Sequence, residues 1–279
     1  MKHWLRRMNH KGLQSRLRAV FLGDYVSTKV VVDGAFEPYL LEMLERQVFP
    51  LVPREALCLD IGANIGNHAC FFAEHFQRVV CFEPNPLTYR LLDVNAFGLP
   101  IDTVPMGLSD APGKLWFRQN TRNRGASMIV EEPGEGDFRV EVTTLDQFAR
   151  ESGLSGIGFV KMDVEEHELQ VLKGARETLH AQLPVLAMEG FFGDNPIFGG
   201  QIEDELRALG YTAFYRAAPR SGLARWLKDR GHVLNRGLLA VVLPERIKRD
   251  VELESVAQIR DENHELFIAM AEPREIPPI

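Results

Sequence analysis

Leu57-Cys58-Leu59-Asp60-Ile61-Gly62-Ala63-Asn64-Ile65-Gly66-Asn67-His68 is the stretch that decides the architecture of this 279-residue chain. The run up to Asp60 reads as a buried strand. Gly62 and Gly66 punctuate a turn, and Ala69-Cys70-Phe71-Phe72 continues as a helix. The two glycines are expected to let a ligand approach the backbone. A second strand, Arg78 to Phe82, ends at Glu83-Pro84. A carboxylate placed about twenty residues after such a turn can accept hydrogen bonds from both hydroxyls of a ribose.

Outward from this unit, short apolar runs alternate with helical patterns, at 56–59, 79–82, 103–106, 159–162, 185–188, 213–215 and 238–243. That rhythm predicts a mostly parallel sheet covered by helices. One interruption stands between the third and fourth runs. Lys114 to Phe117 and Arg139 to Val142 alternate like strands around the Gly- and charge-rich stretch Asn120 to Asp137, which predicts an inserted hairpin with a long loop.

Upstream, Trp4, Leu5, Met8, Leu13, Leu17, Val20 and Phe21 recur at helical spacing among basic residues, predicting an amphipathic helix that packs on its own domain or on a second copy in a homodimer. Lys29-Val30-Val31-Val32 is a β-branched run with strand preference. Leu40, Leu41, Leu44 and Val48 fit one helix face. We therefore divide the chain into an N-terminal extension (1–55), a catalytic domain (56–244) and a tail (245–279). Gly193 to Gly200 and Ala217 to Arg236 are irregular; with Arg216, Arg220, Arg225, Lys228, Arg230 and Arg236 around Trp226, they are candidate acceptor loops.

Composition narrows the function. A formal net charge of -7 argues against a nucleic-acid binder, which needs a basic surface. Cys58, Cys70 and Cys81 form no C-x-x-C pair and read as core residues. No apolar run approaches the ~18 residues needed to span a bilayer. Lys2, Arg6, Arg7, Lys11, Arg16 and Arg18 break the first segment where a signal peptide needs apolar residues, so a cytoplasmic address is expected.

The cofactor follows from the turn. Dinucleotide sites carry G-x-G-x-x-G to admit a pyrophosphate at a helix N-terminus, whereas here the glycines are spaced G-x-x-x-G. S-adenosylmethionine (AdoMet) has a sulfonium cation and an amino-acid tail, which suits the acid Asp60 beside the turn. Met106-Gly107-Leu108-Ser109-Asp110 closes the third strand where Ser109 and Asp110 can hold an adenine, or form an ordinary turn. An NAD-binding oxidoreductase and a catalytically inactive binding protein with the same fold are the alternatives.

The densest polar cluster is Lys161-Met162-Asp163-Val164-Glu165-Glu166-His167-Glu168, where the fourth strand becomes a helix. Together with D-I-G-A-N-I-G (60–66), F-E-P-N-P (82–86), T-T-L-D (143–146) and P-V-L-A-M-E (184–189), it makes the chain resemble the FkbM family of AdoMet-dependent methyltransferases over roughly 36–189. The resemblance implies a class I, Rossmann-like α/β fold with a seven-stranded, mostly parallel sheet and one antiparallel strand near the edge. It also implies methyl transfer to a hydroxyl of a saccharide or natural product. By motif position it assigns Asp60, Gly62, Asn64 and Gly66 to the methionine portion, Glu83 to the ribose, Ser109 and Asp110 to the adenine, and Asp163 to the floor beside the methyl.

His167 or Asp163 is the expected proton acceptor. Asp163, His167 and Glu189 are the residues that would ligate a divalent ion, though a metal is not favoured. The family usually has glycine where Glu166 stands. We read Glu165 and Glu166 as first-turn residues of the helix, stabilised by its dipole.

Overall fold

The computed structural model describes residues 18–191, 196–219, 251–259 and 263–278. The predicted amphipathic helix lies outside them except for residues 18–21, which are not helical; the run at 238–243 and most of the candidate acceptor loops also lie outside.

The unit around Asp60 folds as read. Strand β1 (Leu57–Ile61) is buried along its whole length because β2 (Arg78–Phe82) and β8 (Ile157–Met162) flank it in parallel, so both of its faces are covered. Alternate residues feed two cores. Leu57, Leu59 and Ile61 join one; Cys58 joins the other with Val79, Cys81, Ala69 and Phe72. The chain turns into α3 (Asn67–Phe72), then β2, α4 (Pro86–Ala96, capped by Asn85) and β3 (Ile101–Val104).

Next comes the inserted excursion: β4 (Gly107–Leu108), β5 (Gly113–Arg118), β6 (Met128–Val130) and β7 (Phe138–Thr143). Rather than a hairpin alone, they form a second sheet of order β4-β7-β5-β6, with Phe117, Val140 and Val142 at its small core. Helix α5 (Leu145–Ser152, capped by Thr144) leads to β8, followed by α6 (Glu168–Lys173), α7 (Arg176–Gln182), β9 (Val185–Phe191), α8 (Pro196–Leu209) and β10 (Ala213–Pro219).

Two further strands, β11 (Val251–Val256) and β12 (Asn263–Met270), come from the region read as a tail. They complete a main sheet of order β11-β10-β12-β9-β8-β1-β2-β3. β12 runs antiparallel between β9 and β10, and β11 adds an eighth strand at the edge where seven were expected. The order matches the arrangement that the resemblance implies, with one extra edge strand. The signal for β12 was the apolar run Leu266 to Met270, all buried.

The N-terminal region also differs from its reading. Lys29-Val30-Val31-Val32 is the end of helix α1 (Tyr25–Asp33), because Asp24 caps its start through the Ser27 amide and Gly34 closes its end in a left-handed turn. Those caps and the inward packing of Val26 and Val30 outweigh the β-branched preference, while Val31 and Val32 remain exposed. Leu40, Leu41, Leu44 and Val48 are buried as predicted, along α2 (Pro38–Met43) and the wider helical turn at Leu44–Val48 that continues it. Among the described residues, no helix is long and apolar enough to cross a membrane.

Glu165 and Glu166 are not in a helix. Both have left-handed backbone, φ +50° and +66°, and α6 begins only at Glu168. The family's glycine position is therefore a positive-φ position here, and Glu166 fills it with its side chain in solvent. Left-handed backbone costs an L residue about 1–2 kcal/mol, and the extra freedom of unfolded glycine returns about 0.4–1 kcal/mol of that. We expect Glu166→Gly to raise the thermal midpoint by about 1–3 °C in calorimetry. A fall would mean that the Glu166 side chain makes a stabilising contact.

Candidate active site

The loop after β1 is sewn to the end of β2. The amides of Gly62 and Ala63 both donate to the Phe82 carbonyl at 3.0 Å. The Asn64 amide donates to Glu83 Oε2 at 2.9 Å, and the Asn85 amide donates to Oε1 at 2.8 Å. Each Glu83 oxygen thus has one backbone donor and keeps a lone pair for a ligand. Burial, partly offset by those two amides, pushes the Glu83 carboxyl up to about 7.

The glycines are required by the protein's own packing as well. Both have φ +82°. A methyl group on Gly62 would lie 1.8 Å from the Asp163 carbonyl oxygen, and one on Gly66 would lie 2.8 Å from Leu92 Cδ1. Gly62 also lines the crevice described below; Gly66 does not.

Above the carboxyl ends of β1, β2 and β8 lies a crevice of two lobes. The first, about 580 Å³, has Glu83, Pro84, Leu108, Phe117, Arg124 and His167 among its walls. The second, about 510 Å³, has Glu37, Asn67, His68, Asn123, Lys161 and Glu189. Gly62, Asn64, Gly125, Asp163 and Glu165 border both.

Beneath the second lobe, Lys161 is buried and donates to Asp163 Oδ2 at 2.8 Å. Burial would lower its pKa, but Asp163, Asp60 and Glu189 together hold it above the usual lysine range. Asp60 is fully buried, and among the described residues neither carboxylate oxygen has a hydrogen-bond partner. Burial lifts it to about 6; Lys161 lowers it, and the nearby Ala69 amide helps without forming a well-aligned bond. Burial and Asp163 carry Glu165 to about 8 and Glu189 well above its ordinary value. His68 is held well below its ordinary value by burial, Lys161 and Arg18.

Ser109 and Asp110 stand one layer back from the crevice, where Leu108 and His167 form the wall. Ser109 Oγ donates to Asp110 Oδ1 at 3.2 Å and lies 2.9 Å from His167 Nε2. With its one proton so committed, Ser109 accepts from Nε2, which leaves Nδ1 as the imidazole's free lone pair. Burial lowers the His167 pKa, partly offset by Asp110. His167 therefore belongs to the first lobe, and Glu189 to the second. The trio Asp163, His167 and Glu189 is not assembled, and among the described residues no group of three or more His, Cys, Asp or Glu side chains is placed to hold a metal ion.

The walls that sequence reasoning missed come from outside the nucleotide motifs. Asp24 is buried and accepts from the Arg124 amide at 2.8 Å, while the Tyr25 amide donates to the Arg122 carbonyl, tying α1 to the inserted loop. The Arg124 guanidinium lies 4.1 Å from the centre of the Phe21 ring. Of the expected basic acceptor residues, Arg216 pairs with Glu254 on β11, and the others lie outside the described residues.

Most buried polar atoms without a partner among the described residues gather at this crevice. Oδ1 of Asn64 and of Asn123, Nδ2 of Asn85, and Nε and Nη1 of Arg124 belong to residues lining it, and both oxygens of Asp60 are buried behind it, near Lys161 and Asp163. Folded proteins rarely leave such atoms unsatisfied, so their concentration marks a ligand site rich in hydrogen-bonding groups. The acids outnumber the bases, which fits a cationic ligand.

These raised carboxyls have a consequence for stability. Between pH 6.5 and 8, Glu83 and Glu168, both at about 7, and Glu165 at about 8 keep protons in the fold that the unfolded chain has released. His68 and His167, with lowered values, oppose this only while unfolded imidazole still holds protons, which fades within about one pH unit above their ordinary 6.5. Stability without ligand should therefore fall as pH rises through this window, by up to about 1.4 kcal/mol per pH unit for each retained proton. Urea denaturation at several pH values measures it; a flat or rising curve would contradict the charge arrangement.

The profile of the methyltransferase FkbM domain matches residues 60–213. The hexuronic acid methyltransferase AglP of Haloferax volcanii is 32% identical over 143 residues, covering 49% of this chain; the chain spans 59% of that relative's length. The 2-O-methyltransferase NoeI of Sinorhizobium fredii is 27% identical over 199 residues, covering 63% of this chain and 79% of the relative. A solved methyltransferase FkbM from Methylobacillus flagellatus KT is 22% identical, with 49% of this chain and 33% of that one covered and a TM-score of 0.35.

Proposed function

We propose that this chain, which belongs to the FkbM methyltransferase family, carries a methyl group from AdoMet to a hydroxyl oxygen of a saccharide or natural-product acceptor. The observation that carries the cofactor reading is the charge of the crevice. Asp60, Glu83, Asp163, Glu165 and Glu189 face it or lie directly beneath it, with Lys161 buried among them. A dinucleotide would bring a negatively charged pyrophosphate into that field, whereas AdoMet brings a sulfonium and an ammonium. When bound, it supplies a methyl group made electrophilic by the cationic sulfur.

The chain's own residues then bind, orient and exclude water. Glu83, fixed by the Asn64 and Asn85 amides, is the acceptor for the ribose hydroxyls. Leu108, Phe117, Ile129 and His167 form a mostly apolar slot for the adenine, with Ser109 and Asp110 buttressing the imidazole. Asp60 and Asn64 offer unpaired oxygens to the ammonium end. The Lys161–Asp163 pair keeps the floor of the second lobe rigid, and Asn123 and Arg124 close the roof. Alignment of oxygen, carbon and sulfur supplies most of the acceleration for such a transfer. One relative is named for a hexuronic acid and the other for a 2-O position, which supports a sugar oxygen as the acceptor atom.

Titration calorimetry with AdoMet and with NAD tests the reading. AdoMet should bind and NAD should not; the reverse would end it. Glu83→Gln should weaken AdoMet about 10- to 100-fold, the worth of hydrogen bonds to a charged group. An unchanged affinity would remove Glu83 from the ribose. Transfer of labelled methyl from AdoMet to extracted glycans separates an enzyme from an inactive binding protein.

A further inference from the structure

The sulfonium of AdoMet joins the nucleoside to the amino-acid tail. With the ribose on Glu83 and the tail over Asp60, the sulfur lies where the two lobes meet. Of the five residues bordering both, three have polar side chains: Asn64, Asp163 and Glu165. Asn64 is an amide and no base, and Asp163 is committed to Lys161 at 2.8 Å. Glu165 remains: half-buried, with no hydrogen bond or ion pair to its carboxyl among the described residues. Its backbone and that of Glu166 are both left-handed, a strain that persists where a function holds it.

Resting on the AdoMet reading above, we propose that Glu165 is the proton acceptor of the transfer and that the sulfonium charge itself makes it a base. The acceptor oxygen bonds to the methyl carbon, the carbon–sulfur bond breaks with its electron pair going to sulfur, and the hydroxyl proton passes to a Glu165 oxygen. One positive charge leaves sulfur as one proton arrives on Glu165, so the charge of the crevice stays the same across the reaction. Neither of the bases expected from sequence is as well placed: Asp163 is paired, and His167 is anchored to Ser109 in the first lobe.

The charges facing Glu165 set the device. Asp163 and Lys161 approach from β8, Glu166 and Glu168 from its own loop and α6, and Glu189 from β9. Glu37, His68, Glu83 and Arg124 stand around the rim. In the protein alone, burial and Asp163 keep the Glu165 proton on near neutral pH; a neighbouring cation drives it off. Cofactor binding then expels a proton, and the reaction supplies one back.

Calorimetry of the full chain at pH 7 tests this with AdoMet and with S-adenosylhomocysteine, which lacks only the methyl and its charge. Comparing phosphate with imidazole buffer counts the protons exchanged. We expect AdoMet to release up to about one proton per site more than S-adenosylhomocysteine. Glu165→Gln should erase that difference while binding S-adenosylhomocysteine within about threefold of wild type, and Glu165→Asp should keep it. A difference that survives in Glu165→Gln overturns the proposal and leaves the cofactor reading standing. Failure of wild type to bind AdoMet would remove both.

Discussion

The backbone of Asp163 rests directly on Gly62. The Asp163 amide donates to the Ile61 carbonyl at 3.0 Å, and its own carbonyl oxygen occupies the space where any other residue at 62 would put a Cβ. This contact locks the carboxyl ends of β1 and β8 together. It brings three groups of different origin to one crevice: the turn that presents Asn64 to Glu83, the Lys161–Asp163 pair, and the strained Glu165. Without glycine at 62 the two loops would part, and the acids could not share a single pocket.

Bringing those acids together is costly, and the cost is not relieved within the protein. Among the described residues Asp60 has no hydrogen-bond partner, Lys161 is one cation among several carboxylates, and burial and Asp163 raise the pKa values of Glu165 and Glu189. A site left in this condition is poised for a cation with donors of its own, and binding such a ligand supplies what folding did not. The N-terminal helix and the inserted sheet complete the enclosure by their mutual tie at Asp24 and Arg124. Exclusion of water there strengthens every charge interaction inside.

The legible part of this protein is the part written locally. A fully apolar strand ending in Asp60, glycines that need positive φ and an acid before proline at Glu83 follow from short-range rules, and the structure puts them side by side. The roles of Lys161, Glu165 and Arg124 were not legible, because each depends on which loops dock together rather than on neighbours in sequence. Glu166 misled for a related reason: an acid shortly before a helix reads as a first-turn residue, and only the backbone reveals that the turn is left-handed. In the C-terminal region, mixed charges masked a usable signal. Val251-Glu252-Leu253-Glu254 alternates as an edge strand should, and Leu266 to Met270 is a buried run.

A crystal structure of the chain grown with AdoMet would test the central claim most directly. The account predicts both ribose hydroxyls within hydrogen-bond distance of Glu83, about 2.6–3.2 Å, and the sulfur at the junction bordered by Gly62, Asp163 and Glu165. A cofactor bound elsewhere, or one whose ribose turns away from Glu83, would contradict it.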